Sequence, residues 1–206
     1  GLTNHDNLYY LYFKPGSVGD KAEVLRTEPF IPGLIFDNYM KTGPEGSGDN
    51  GYIYCGPNHF YAQLRGTIPA GVKEFSIKGS IPDPALFAAQ HFSSFLELNG
   101  IEVSGIPSKI IEPQLYNESK LILSVISPPL KEIVFIINKK SFNLYTEQIL
   151  KAFAKEITGE GSTYKGIELI EEFFRENNIP IGGLDLYDGS GLSRTNKITA
   201  KIRRKN

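Results

Sequence analysis

The chain has 206 residues, 40 % apolar and 22 % charged, enough to bury one good core or two small ones in an ordinary globular protein. A formal net charge of -1 lacks the basic excess that nucleic-acid binding needs, and the run Lys201 to Lys205 reads as a solvated tail. No apolar run is long enough to cross a bilayer, and the opening Gly1-Leu2-Thr3-Asn4-His5-Asp6 lacks the pattern of a signal peptide, so any export signal is expected to lie outside this sequence. The single cysteine, Cys55, rules out an internal disulfide. His5, His59 and His91 have no ligand-like spacing, so neither a metal site nor a cofactor is expected.

The first half reads as short strands. Leu8 to Phe13 is an aromatic run stopped by Lys14-Pro15-Gly16, and further strands are predicted at Glu23 to Arg26, Leu34 to Phe36, Gly51 to Cys55, Phe60 to Leu64 and Glu74 to Lys78. The glycine-rich stretch Gly43 to Gly51 lacks the Gly-Lys-Ser/Thr ending of a phosphate loop and precedes a strand, so it is read as a hairpin loop. Asp83-Pro84 opens a helix in cap-then-proline order, with Ala85, Ala88, Ala89, Phe92, Phe95 and Leu96 as its buried stripe and Gly100 as its end. Strands at Ile101 to Val103, Lys109 to Glu112 and Leu121 to Ile126 would complete a mixed sheet with this helix laid across it. Ser127-Pro128-Pro129 then marks a change of element type, and a boundary is placed there, dividing residues 1–127 from 128–206.

Beyond the prolines the period is helical. Leu130, Ile133, Val134 and Ile137 form one apolar face, the pattern breaks at Lys140-Ser141-Phe142-Asn143, and Tyr145, Ile149, Phe153 and Ile157 resume it. Ser141 and Asn143 are two residues apart beside Lys139 and Lys140, so a turn or helix start could direct both side chains into one cleft; the plain alternative is a helix cap. A third helix runs from Thr163 to Asn177 with Ile167, Ile170, Phe173 and Phe174 facing a core. Ile179 to Tyr187 reads as a linker and short strand delivering Asp188-Gly189-Ser190-Gly191-Leu192-Ser193-Arg194. Its glycines allow a tight turn that could line a cleft; the alternative is a turn whose Ser193 or Thr195 caps a following helix.

Together these segments resemble one family. Asn138-Lys139-Lys140-Ser141-Phe142-Asn143-Leu144, then Glu160-Gly161-Ser162 with Lys165-Gly166, then Asp188 to Arg194 with Asn196, resemble the penicillin-binding protein 4 type of D-alanyl-D-alanine carboxypeptidase/endopeptidase, a serine-type, peptidase S13-like family. Gly46 to Asn50, Arg65-Gly66-Thr67-Ile68-Pro69 and Gly79 to Pro84 look like the accessory domain that the family inserts between its nucleophile and its Ser-x-Asn motif. The resemblance implies an α+β architecture: a mixed-sheet accessory domain over residues 1–127, then over 128–206 a partial helical portion of a β-lactamase/transpeptidase-like catalytic domain.

In that family a Ser-x-x-Lys serine attacks the carbonyl of the penultimate D-alanine and forms an acyl-enzyme. The resemblance gives Ser141 a proton-passing role and has Asn143 hold the substrate amide and orient the lysine, while Asp188, Gly189, Ser190, Gly191, Leu192 and Ser193 line the substrate pocket. It implies peptidoglycan stem peptides and β-lactams as partners of the parent protein, and a periplasmic or envelope location. Oligomeric state is not readable. The order of motifs departs from the family. Ser162-Thr163-Tyr164-Lys165 falls after Ser141, where Ser162 is better read as a helix cap, and Lys41-Thr42-Gly43 falls before it. Both are read as chance matches, so the chain is expected to be an interior piece, inactive alone. A non-catalytic envelope binding or scaffold module derived from the same fold is the alternative.

Overall fold

The computed structural model describes residues 2–112 and 121–200. Two compact units emerge, Gly1–Leu115 and Tyr116–Asn206.

The first unit is built on two sheets. β1 (Leu8–Lys14) is the central strand of an antiparallel sheet ordered β2-β1-β7, with β2 at Glu23–Glu28 and β7 at Phe75–Ser80. Alternation along β1 sends Tyr9, Leu11 and Phe13 into the core and Tyr10 and Lys14 outward, the period expected of a strand with one wet face. Tyr9 lies against Gly79 of β7, where an added Cβ would fall 2.3 Å from the ring, so only glycine admits the ring there. Burial pushes the Tyr9 hydroxyl pKa well up.

The second sheet centres on β6 (Tyr61–Pro69). β3 (Ile35–Asn38) and β4 (Lys41–Gly43) pair with it in parallel, and β5 (Asn50–Tyr54) pairs antiparallel. The stretch from Gly43 to Asn50 is therefore not a hairpin loop. It carries the chain from one partner of β6 to another, and the hairpin lies between β5 and β6. At the crossing Gly66 takes φ +103°, and a Cβ there would stand 2.1 Å from the Asn50 carbonyl oxygen. Tyr9, Leu11, Phe13, Ile31, Met40, Leu64, Ile68, Ile77, Ile81 and Phe87 make one core, each large side chain contributing roughly 1.5–3 kcal/mol by leaving water.

α1 (Pro84–Leu98) starts as predicted: the Asp83 carboxylate accepts from the Leu86 amide at 3.1 Å. Its anchor is Phe87 instead of the expected stripe, for Phe92 and Phe95 stand 61 % and 59 % exposed. Phe87 stacks on His91 at 5.4 Å, with the His5 ring edge-on to both. The strands expected at Ile101 to Val103, Lys109 to Glu112 and Leu121 to Ile126 do not form. Alternation makes a strand only where a neighbour offers a ladder, and Ile106, Ile111, Ile122 and Ile126 stand almost fully in solvent. Lys109 instead bonds Asp83, at 2.5 Å, and Asn58. The single mixed sheet of the sequence reading is thus two sheets closed by residue 80.

The second unit is helical: α2 (Leu130–Lys140), α3 (Asn143–Thr158) and α4 (Thr163–Glu176), followed by a two-residue ladder of β8 (Leu184–Asp185) with β9 (Lys197–Ile198). α3 and α4 meet where Gly166 faces Leu150; a Cβ at 166 would lie 2.5 Å from the Leu150 side chain. Only Leu150 and Ala154 of α3 are buried, with Gly166 of α4. The expected faces are more open than periodicity suggested: α2 buries no residue, and Phe153, Ile157 and Phe173 are 44 %, 57 % and 56 % exposed. Periodicity reports which side is apolar, whereas burial needs a second surface to meet it.

Candidate active site

The break in the helical pattern is a corner between two helices. Ser141 ends α2 in the left-handed conformation, φ 52° and ψ 51°, and Phe142 is the extended residue before α3. A non-glycine residue there is uncommon. Ser141 is therefore not the helix-opening cap of the plain alternative; no side chain caps α3, and Asn143 is its first residue. Neither the Ser141 hydroxyl nor the Asn143 amide bonds to another described residue, and Ser141 is exposed. Packing sets the corner instead: the Phe142 and Tyr145 rings lie 4.5 Å apart, and the amides of Ser141 and Phe142 both return to the Ile137 carbonyl. Lys139 and Lys140 occupy the last turn of α2, where cations complement the helix dipole.

The glycine loop is fastened to the same helix. Glu147 is four residues beyond Asn143, on the same side of α3, and its Oε1 accepts the Gly189 amide at 2.9 Å and the Ser190 amide at 2.8 Å. Gly189 rests on Leu150 and Thr146, an added Cβ meeting Leu150 at 3.0 Å. Glu147 is assigned no role in the sequence analysis. Its i+4 spacing from Asn143 was the available signal.

Asp188 organises the loop from within. It accepts from the amides of Gly191 at 2.8 Å and Ser193 at 2.6 Å and from the Asn196 side chain at 2.7 Å. The Asn196 bond, with those loop amides, outweighs desolvation and holds the carboxyl below its ordinary range. The amides of Gly189, Ser190, Gly191 and Ser193 are thus committed to carboxylates, while Leu192 stands 67 % exposed at the tip. Neither Ser193 nor Thr195 opens a helix: their hydroxyls bond each other at 2.6 Å, and the element that comes next is β9.

The two out-of-order motifs have ordinary roles. Ser162 caps α4, accepting from the Lys165 amide at 3.2 Å, and the Lys165 ammonium pairs with Glu168 at 2.8 Å, which holds it protonated. A proton-accepting lysine needs the opposite. Lys41-Thr42-Gly43 is β4, with the Thr42 hydroxyl buried and accepting from the Gly16 amide. A concavity of about 720 Å³ between α4 and residues 185–187 contains none of the predicted site residues. Among the described residues no cluster of His, Cys, Asp and Glu could hold a metal, and no helix is long and apolar enough to cross a membrane.

A hydroxyl and a carboxamide thus stand at a helix corner, with a glycine loop pinned to the helix that follows, and comparison with known proteins names the family. Residues 2–203 match the model of the D-Ala-D-Ala carboxypeptidase 3 (S13) family, to which the chain belongs. It is 30 % identical over 164 residues to the D-alanyl-D-alanine carboxypeptidase of Actinomadura sp. (strain R39), covering 80 % of this chain and 30 % of that protein. It is 26 % identical over 140 residues to the D-alanyl-D-alanine carboxypeptidase DacB of Haemophilus influenzae, covering 68 % of this chain and 29 % of that one. The crystal structure of penicillin binding protein 4 from H. influenzae, complexed with a β-lactam, superposes with TM-score 0.76 at 20 % identity, over 98 % of this chain and 46 % of that one. The chain spans about 30 % of the length of these curated relatives.

Proposed function

We propose that this chain is part of a serine-type D-alanyl-D-alanine carboxypeptidase/endopeptidase acting on peptidoglycan peptides in the periplasm or cell envelope. Residues 1–127 form its accessory domain and residues 128–206 the helical wall of its catalytic domain. Asn143 holds the substrate amide, Ser141 passes a proton toward the departing D-alanine nitrogen, and the Asp188 to Ser193 loop lines the pocket. The reaction needs a serine nucleophile, a proton acceptor and amides aimed at the developing oxyanion. Ser141 and Asn143 supply none of the three by themselves, and no Ser-x-x-Lys precedes Ser141 in this sequence. The chain alone is therefore inactive, and β-lactams acylate only a longer chain that carries the nucleophile.

The observation that carries this reading is the corner itself: a serine held left-handed, with its hydroxyl and the neighbouring carboxamide unspent on any local bond. Ser141 closes α2 through its backbone alone, its amide on the Ile137 carbonyl, which leaves the hydroxyl outside that task. Incubation with labelled penicillin tests the reading. The 206-residue chain stays unlabelled, a longer chain containing an upstream Ser-x-x-Lys is labelled, and Asn143→Ala in the longer chain cuts its acylation rate by about a hundredfold. Covalent labelling of the short chain, or full acylation of the Asn143 variant, would overturn it.

A further inference from the structure

The outward face of the second sheet in the first unit is unlike an ordinary solvated face. Alternation sends Ile53, Ala62 and Leu64 inward and Tyr52, Tyr54, Tyr61 and Arg65 outward, and register sets Tyr52 opposite Arg65, with Tyr54 and Asp37 flanking Gln63. Tyr39, Tyr52, Tyr54 and Tyr61 remain 54 %, 62 %, 57 % and 59 % exposed. The Tyr52 and Tyr54 rings are 6.3 Å apart and tilted by only 32°, and the Arg65 guanidinium lies 5.6 Å from the Tyr39 ring centre. A polar ladder runs between the rings: Arg65 Nε donates to Gln63 Oε1 at 2.7 Å, and Gln63 Nε2 donates to Asp37 Oδ2 at 3.3 Å.

Charge on this face is unbalanced. Arg65 meets no carboxylate among the described residues. Exposed Lys41, paired with Thr67 of β6, and exposed Lys21, bridged to Lys41, add two further cations beside the carboxylate of Asp37. A face awaiting a protein core would be aliphatic, yet only Ile35 here is an exposed aliphatic strand residue. Tyrosine rings offer flat apolar surface with a hydroxyl at the edge, suited to the faces of sugar rings. The amide, carboxylate and guanidinium bond hydroxyl and acetamido groups, and the excess positive charge complements acidic substituents.

We infer that this sheet face binds a carboxylate-bearing amino-sugar polymer, the glycan strand of peptidoglycan where removal of the stem peptide leaves the sugar's carboxylate free. Sugar rings stack on Tyr52, Tyr54 and Tyr61, and the acidic groups lie against Arg65 and Lys41. The choice of polymer rests on the proposed peptidoglycan function; the binding itself does not depend on Ser141 or Asn143. A nucleic-acid strand fits less well, since its charge recurs at every nucleotide and the face holds three cations around a carboxylate.

The test titrates the 206-residue chain, which has eleven tyrosines and no tryptophan, with glycan strands stripped of their peptides, reading tyrosine fluorescence. Saturable quenching is expected, weaker at higher salt. Affinity falls at least about tenfold in Tyr52→Ala/Tyr54→Ala and stays within about twofold in Tyr52→Phe/Tyr54→Phe, with circular dichroism confirming the fold of each. Arg65→Gln weakens binding and lowers its salt dependence. No saturable change with the wild-type chain, unchanged affinity in the alanine variant, or tighter binding of a single-stranded oligonucleotide overturns the inference. Penicillin labelling of the longer chain reads the acyl-transfer proposal separately: labelling without glycan binding removes this inference alone, and glycan binding without labelling removes only the other.

Discussion

The two units make opposite use of similar apolar content. In the first, two sheets and α1 close on each other until Leu11, Phe13, Met40 and Leu64 reach 0 % exposure. In the second, three helices bury little beyond Leu150, Ala154 and Gly166, leaving Leu130, Val134, Phe135 and Ile136 open on α2. The first unit draws its order from a core. The second draws it from local devices: an aromatic pair at the corner, a glycine at the helix crossing, and two carboxylates tying down a loop. A region organised in that way can keep polar side chains unbonded at its surface, as Ser141 and Asn143 are.

The contrast can be broken most directly by truncation. Leu64→Ala should cost about 2–5 kcal/mol in denaturant unfolding, because little can collapse around a fully enclosed side chain, whereas Phe135→Ala should stay within about 0.5 kcal/mol. Equal costs would mean that the units do not differ in closure. Next in size is Gly166→Val, which drives a branched side chain into Leu150 and should lower the stability of the α3–α4 pair by about 2–3 kcal/mol, followed as loss of helical signal on heating. A neutral result would show that the helix crossing is not tight.

Glu147→Ala sharpens the comparison further. It leaves the Gly189 and Ser190 amides without their acceptor, a loss of about 1–2 kcal/mol that hydrogen exchange should register at those two amides and not in the first unit. Acid titration should find a matching pair of carboxylates, one in each unit. Burial opposes ionisation of Asp83, but the Lys109 ammonium and the Leu86 and Ala85 amides outweigh it, so its folded pKa is lowered, as is that of Asp188. Each contribution is therefore complete above the ordinary carboxylate pKa and is lost as pH falls through the lowered one. Asp83→Asn should flatten the acid limb of the first unit's stability, and Asp188→Asn that of the loop. The smallest effect is expected at the corner: Ser141→Gly relieves a left-handed serine and should be neutral or stabilising by a few tenths of a kcal/mol. A loss above about 1 kcal/mol would make Ser141 a structural residue and remove the argument built on it.

Much of this was legible beforehand. The strand at Leu8 to Phe13, the Asp83 cap, the helix break at Ser141 and the cap at Ser162 follow from rules that act within a few residues, and the ordered motifs pointed to the family that residues 2–203 then matched. Misreadings fell where a neighbour decides. The Gly43 to Gly51 stretch has the composition of a hairpin loop but crosses between two partners of β6. Leu121 to Ile126 has the composition of a strand but no ladder among the described residues.

By itself the sequence determined which segments wind into helices, where the first strand and α1 stop, and which hydroxyl and amide sit at the gap, because turn, cap and period act over one or two turns of chain. Only the tertiary structure decided that Glu147 holds the loop, that Phe87 anchors α1, and that four tyrosines share one open face. Those outcomes depend on which surfaces meet across tens of residues, and no local preference encodes the partner.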